Sequence, residues 1–246
     1  MIIEQTQDAE PWAKVVISRI VVATALIVVV VLVGLLLPAL QSARMPSRRN
    51  ISRYRLKQIG LALLNYEIGY GSLPPAYTVD GNGNRLHSWR TLILPYLEQH
   101  ALYEKIDLTK AWDDPANAAY HNMRIDVFEC PSSGVAPGSS NYLVVVDPSG
   151  IFHGSNFCNL TDVHDGTDNT LLVVEVDKSL SVPWMSPSDI DMQTYLDAQF
   201  KSQHEGGAHC CFADGSCWFM KSSLDRASMR ALVTKSAGDK LNNAFP

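Results

Sequence analysis

The 246-residue chain has no Gly-x-Ser-x-Gly elbow, no phosphate-binding loop, no dinucleotide fingerprint, and no internal repeat or low-complexity tract. The first three absences remove the sequence marks of an elbow-type serine hydrolase, a nucleoside triphosphatase and a nucleotide-dependent oxidoreductase, and no cofactor is expected. Charge is also sparse, at 18% of residues, while 46% are hydrophobic, which suits a folded core and argues against a largely disordered chain. Between Ile20 and Leu37 charge is missing altogether.

That apolar run holds eighteen residues. As a helix it would rise about 27 Å, close to the hydrocarbon thickness of a bilayer. A cleaved signal peptide has a shorter apolar core, ~7 to 15 residues, and ends in a small-residue cleavage site; no Ala-x-Ala follows this run. The sequence therefore predicts a retained single-pass anchor at residues 20–37, with the lipid bilayer as its partner. Residues 1–57 carry eight Lys/Arg against three Asp/Glu, which leaves twelve against twenty-two, a net −10, for the rest. Such a surface repels phosphate backbones, so no nucleic acid is expected as a partner. Arg44, Arg48, Arg49, Arg53, Arg55 and Lys57 follow the run, at headgroup depth or on a solvated helix face. Only Lys14 and Arg19 precede it, so positive-inside counting by itself would keep the following domain in the cytoplasm.

Residues 1–19 then form a tail, 20–37 the anchor, 38–70 a helical stalk interrupted near Pro38 and Pro46, and 71–246 a globular domain. In the stalk, Leu56, Ile59, Leu63 and Tyr66 recur at helical spacing, Ser47 stands as a cap, and Gly69, Gly71 and Pro74-Pro75 stop the helix. SWRTLILPYLEQHALYEKI is helical around Pro95, whereas SSNYLVVVDPSGIF and NTLLVVEV read as strands bounded by turn residues. AHCCFADGSCWFMK is the clearest hairpin. A two-residue turn at Asp214-Gly215 would put Cys210, Phe212, Cys217 and Phe219 on one face and His209, Cys211 and Trp218 on the other. A last helix begins near Ser223 and carries Met229, Leu232 and Val233 inward. The fold class is α+β.

HEGGAHCCFADGS, from His204 to Ser216, gathers two histidines, a glutamate, two cysteines and an aspartate. It is not a zinc-protease helix, because His204 and His209 are five apart and straddle Gly206-Gly207, whereas two ligands on one helix face stand four apart. Cysteines divided between two hairpin faces read as small core residues rather than as a zinc site. The simplest reading is structural: Asp214-Gly215 makes the turn, Gly206 and Gly207 permit a close or left-handed backbone, and His204 hydrogen-bonds within the loop. Asp214 with loop carbonyls is the remaining candidate for a divalent metal. DGNGNR from Asp80 spaces oxygens like a calcium loop, but Arg85 stands where Gly is needed and Thr91 where Glu is, so it reads as a hairpin loop. Asp162, Asp165 and Asp168 around Gly166 read as another turn. A hydrolase built on His164, Asp165, His204 and Asp214 would require those side chains to converge on one pocket. Five cysteines leave at least one unpaired in a monomer; a Cys130–Cys158 bridge and buried thiols are both open.

Six segments occur in order: LLLPALQSAR, LKQIGLALLNYEIGYGSLPPAY, HSWRTLILPYLEQHALYEKIDLTKAWDDPAN, CPSS, DGTDNTLLVVE, and His204 followed after nine residues by Asp214-Gly215. Together they resemble the bacterial pilin-like family of unknown function that has a prepilin-type N-terminal region and a C-terminal H-X9-DG motif. The resemblance implies the architecture of type IV pilins and type II secretion pseudopilins: a long N-terminal helix, hydrophobic in its first half, followed by an antiparallel sheet domain. It implies no established catalytic activity, and it marks His204, Gly206, Gly207, Asp214 and Gly215 as motif residues.

The chain departs from that family where processing would occur. Aligned back from Leu37-Pro38, Val16 stands at the glycine of the prepilin signature and Val21 at its glutamate. A prepilin peptidase then has nothing to cut, and the carboxylate expected to meet a neighbouring subunit's N-terminal amine is missing. Such relatives often carry a cysteine before the Leu-Lys-Gln-Ile-Gly run, where Ser52 stands here, so any pairing of that position with Cys130 is absent. The expectation is an unprocessed, non-filamentous, single-pass protein of the inner (cytoplasmic) membrane. Its C-terminal domain lies outside the cytoplasm, and its role is structural or binding, through an unknown envelope protein or self-association. A pseudopilin of a secretion apparatus, and an anchored hydrolase or divalent-cation-binding protein using the His204 to Gly215 loop, are the alternatives.

Overall fold

A computed structural model of the chain describes residues 11–238, with side chains described at Arg19, at 21–34 and from Arg48 onward. Residues 1–10 of the expected tail and 239–246 of the expected globular domain lie outside the described residues. The chain divides into two compact units, Met1–Ser47 and Arg48–Pro246. Helix α1 spans Pro11–Tyr70 and continues through Pro38 and Pro46, where the sequence predicts a break and a new cap at Ser47. Each proline removes one backbone donor, and neither ends the helix.

In the first unit, the large apolar side chains from Val21 to Val33 are exposed, between 50% at Val33 and 68% at Val30. Among the described residues no helix is long and apolar enough to cross a membrane. Of the expected span 20–37, side chains are described over 21–34.

In the second unit, the stripe Leu56, Ile59, Leu63 and Tyr66 is buried as its spacing predicts. The helix stops at Tyr70 because Gly71 adopts φ +76°, which lets its N–H reach the Glu67 carbonyl at 2.7 Å. The elements that follow are β1 (Tyr77–Val79), β2 (Arg85–Ser88), α2 (Trp89–Leu92), α3 (His100–Tyr103), β3 (Ser139–Ser140), β4 (Tyr142–Leu143), β5 (Val145–Val146) and β6 (Leu171–Glu175). Then come β7 (Val182–Pro183), β8 (Ile190–Asp191), α4 (Met192–Ala198), β9 (Gly207–Phe212), β10 (Cys217–Lys221) and α5 (Arg226–Ala231). DGNGNR is the hairpin loop between β1 and β2, closed by the Asp80 carboxylate accepting the N–H groups of Asn82 and Asn84, each at 2.8 Å. Asp225, rather than Ser223, caps α5 by accepting from the Ser228 N–H.

The main sheet is antiparallel with strand order β10-β9-β6-β4. Both of its faces are covered, which is why β6 and β9 read as nearly continuous apolar runs rather than alternating ones. On one face Tyr142, Val173, Cys211 and Cys217 join the α1 stripe in one core. On the other, Leu143, Val174, Cys210, Phe212 and Met220 pack with Tyr195, Leu196 and Met229 of α4 and α5.

The β9–β10 hairpin corrects the expected turn. Its loop holds three residues, Ala213-Asp214-Gly215, with Phe212 N–H to Ser216 O at 2.9 Å, Gly215 N–H to Phe212 O at 2.8 Å, and Gly215 at φ +78°. A turn followed by one left-handed residue moves β10 by one position relative to a two-residue turn. Cys217 therefore stands opposite Cys211, and Phe219 opposite His209, so the face assignments of Cys217, Trp218 and Phe219 are the reverse of those expected. A bulge in β6 has a similar effect, because both Leu172 and Val173 fall against Cys211 and the alternation resets. Glu175 consequently points to the α1 side, where simple alternation from Leu171 would have sent it to the other.

Two buried sites tie the remaining chain to this frame. Gly60 faces Cys211, and a Cβ there would overlap its Sγ. In His87-Ser88-Trp89-Arg90, Arg90 pairs with Asp189 at 2.6 Å with both side chains almost fully buried. Asp189 also accepts from Val144 N–H at 2.9 Å and Trp89 Nε1–H at 3.2 Å, which spreads a buried charge over several donors.

Gly60→Ala is expected to cost about 1–3 kcal/mol in urea unfolding of the full chain, as an added methyl in a filled core does, and Cys211→Ala in the same chain to recover most of it. Additive losses would contradict the contact. Burial pushes the His87 imidazole below its ordinary 6.5, against the opposing carbonyls of Lys110 and Asp107. The unfolded chain takes up that proton more readily, so the stability contributed by His87 is complete above about pH 6.5 and is lost as the pH falls toward the folded value. Unfolding followed from pH 7 to 5 should show a shallower loss in His87→Gln than in the native chain; equal slopes would contradict this.

Candidate functional site

The reset in β6 sends a carboxylate with no solvent exposure into the space between the sheet and α1. One of its oxygens, Glu175 Oε2, accepts three hydrogen bonds: from Ser52 Oγ on α1 at 3.1 Å, His209 Nδ1 at 3.1 Å and His209 backbone N–H at 3.4 Å. Tyr142 OH completes this side, 2.9 Å from Ser52 Oγ. The other oxygen, Oε1, lies 3.3 Å from His204 Nε2. That contact lacks the angle of a hydrogen bond, so Oε1 is a buried oxygen without a donor. His204 Nε2 in turn stands 3.4 Å from Cys130 Sγ.

The cluster's electrostatics follow from burial and partners. Burial by itself raises the Glu175 carboxyl, but the His209 hydrogen bond, the His204 charge and the Cys130 contact outweigh it and hold the group below its ordinary value. Burial lowers His204, favouring neutral imidazole, against the opposing pull of Glu175. Burial and the neighbouring carboxylate push the Cys130 thiol up to about 12, with the Ser132 backbone N–H, 3.4 Å from the sulfur, opposing them. At neutral pH the cluster holds a carboxylate beside a protonated thiol. That thiol is a poor nucleophile.

The motif residues each have a physical part. The His204 side chain does not bond within its own loop, as the sequence reading expected; it reaches Glu175 on β6, and its loop is closed instead by its backbone N–H donating to Ser202 Oγ at 3.0 Å. Gly206 sits at φ +85°, and at Gly207 a Cβ would overlap the Met220 carbonyl of β10. Asp214 accepts from Ser216 N–H at 2.7 Å, making the turn, and Gly215 O accepts from Lys57 Nζ of α1 at 2.5 Å. The hairpin is thereby fastened to α1 at its tip.

His204 and Asp214 lie beyond opposite ends of β9, whose six residues rise about 20 Å. Asp165 is occupied elsewhere, accepting from the N–H groups of Ala237 at 2.8 Å and Gly238 at 2.7 Å. His164, Asp165, His204 and Asp214 therefore do not gather in one pocket. Among the described residues, the group with metal-ligand geometry is Cys130, Glu175 and His204, and Asp214 is not part of it. Sequence reasoning missed Glu175 and Cys130 as neighbours of His204. The available signal was Glu175 itself, the one charged residue in NTLLVVEV.

Two shallow pockets flank the cluster. One, of about 630 Å³, is lined by Arg49, Arg53, His209, Trp218 and Phe219 among others, with the Arg49 guanidinium 3.4 Å from the Phe219 ring centre. The other, of about 520 Å³, lies between Arg53, Tyr54 and Lys57 of α1 and Trp218 of β10. Both present cations beside aromatic rings.

Residues 41–145 match a family described as a protein of unknown function (DUF1559). The matched stretch contains Ser52, the His87 to Arg90 segment and Cys130, and stops before Glu175, His204 and His209. No curated protein and no solved structure matches the chain.

All five cysteines are free thiols and all are buried. A thiol reagent is therefore expected to find almost no reactive sulfur in the folded chain and five equivalents in denaturant without reductant. Three equivalents after unfolding would instead reveal a bridge and contradict this arrangement.

Proposed function

We propose that the chain is a membrane-anchored, pilin-like cell-envelope protein with a structural or binding role, inserted without prepilin-peptidase processing. Residues 20–37 would form its single span in the inner membrane. The observation that carries this reading is the helix from Val21 to Gly34, which exposes Val, Ile and Leu side chains on all sides and carries no charge. Exposed apolar surface of that extent is unfavourable in water, whereas a bilayer accepts it, and a helix meets its own backbone hydrogen bonds there. The antiparallel sheet covered by the buried stripe of α1 is in keeping with a pilin-like domain.

A binding rather than catalytic role is supported by the cluster chemistry, which offers a protonated thiol and no gathered triad. The cationic and aromatic pockets beside Trp218 supply the surface for an envelope protein partner or for self-association. The orientation rests on the family resemblance, which places the sheet domain outside the cytoplasm against the positive-inside count.

Two measurements test this reading. The protein should stay with the membrane after alkaline carbonate extraction, and protease added to sealed spheroplasts should digest residues beyond Leu37 while leaving a cytoplasmic marker intact. Release by carbonate would remove the anchor, and protection until lysis would remove the extracytoplasmic domain.

A further inference from the structure

We infer that Cys130 Sγ, Glu175 Oε1 and His204 Nε2 form a site for one divalent ion of the zinc class. The three ligand atoms lie within 4.8 Å of one another. Zinc bonds of ~2.0–2.2 Å to nitrogen and oxygen and ~2.3 Å to sulfur, at tetrahedral angles, set an N–O edge near ~3.4 Å and an N–S edge near ~3.6 Å. The corresponding edges here are 3.3 Å from His204 to Glu175 and 3.4 Å from His204 to Cys130. A combination of thiolate, imidazole and carboxylate suits Zn²⁺ or Co²⁺ and is a poor match for Mg²⁺ or Ca²⁺, which take oxygen ligands.

Two further observations point to a ligand. Glu175 is fully buried and its Oε1 makes no well-angled hydrogen bond, with the His204 imidazole and the Cys130 thiol beside it, and a cation bound there would meet the buried charge. Its Oε2, by contrast, is held by Ser52 and by both the ring and the backbone N–H of His209. Outer donors that fix one carboxylate oxygen and leave the other toward the site are what metal-ligating carboxylates use. On binding, the Cys130 S–H bond breaks, its proton leaves to solvent, and the sulfur electron pair bonds the metal. The ion, one thiolate, one carboxylate and one neutral imidazole sum to zero charge, which suits a buried site. His209 also lines the pocket beside Phe219.

The site is independent of the anchored role, since a chain that fails carbonate extraction can still bind the ion. The full chain in detergent, stripped with chelator, is titrated with Co²⁺ and then Zn²⁺. The expected result is one equivalent of Co²⁺, a thiolate-to-cobalt charge-transfer band with tetrahedral ligand-field absorption, and displacement by Zn²⁺. Cys130→Ser should abolish the charge-transfer band, Ser52→Ala should weaken binding about 10- to 100-fold as loss of an outer partner does, and Asp214→Asn should leave it unchanged. Should Cys130→Ser fail to fold, Glu175→Gln, which keeps the shape of the side chain, must weaken binding at least as much as Ser52→Ala. No band in the native chain overturns the site, and so does a band that survives in folded Cys130→Ser.

Discussion

A carboxylate taken out of water must be met by donors, and Glu175 draws its donors from separate parts of the chain. Ser52 comes from α1 and His209 from the middle of β9, while His204, from the loop before β9, and Cys130 stand beside the other oxygen. Ser52 and Glu175, 123 residues apart in sequence, are fixed against one another by this one group. The core alone would hold α1 against the sheet, since apolar burial is not directional. The cluster adds a direction and a register, because a slip of one residue in β9 would turn His209 away and leave Glu175 buried without its donors. At the far end of the hairpin, Lys57 on the Gly215 carbonyl and Cys211 in the space left by Gly60 set the same register a second time.

How much of this was legible in the sequence depended on the range of the interaction involved. The helical stripe Leu56, Ile59, Leu63, Tyr66 and the stop at Gly71 are local, and both are where the spacing puts them. The position of the Asp214-Gly215 turn was also legible, but its loop length was not. Two-residue and three-residue loops share the same Asp-Gly signal, and the difference of one residue exchanges the faces of β10. In β6, the run Leu171-Leu172-Val173-Val174 is apolar throughout because both sheet faces are covered, so the bulge that redirects Glu175 leaves no trace in the pattern. The convergence of Cys130, Glu175 and His204 needed the bulge in β6, which the pattern does not reveal.

The candidate site was partly visible as motifs with no stated purpose. His204, Gly206, Gly207, Asp214 and Gly215 now divide into two groups, one serving the buried cluster and the hairpin's base, the other its tip. Ser52 and Cys130, the two positions that the family resemblance connects, meet at Glu175 even though one of them is not a cysteine here. A serine in that place donates to the carboxylate and leaves the Cys130 sulfur without a disulfide partner.

The most direct test of the claim that Glu175 gathers these elements is the proximity of positions 52 and 130. Ser52→Cys, purified in full-length form and treated with a mild oxidant, is mapped by non-reducing peptide mass spectrometry. Because Ser52 Oγ and Cys130 Sγ both stand beside the Glu175 carboxylate, the expected result is a single bridge between position 52 and Cys130. A thiol at position 52 that labels freely, or that pairs with Cys158 or with a second chain, would contradict the account.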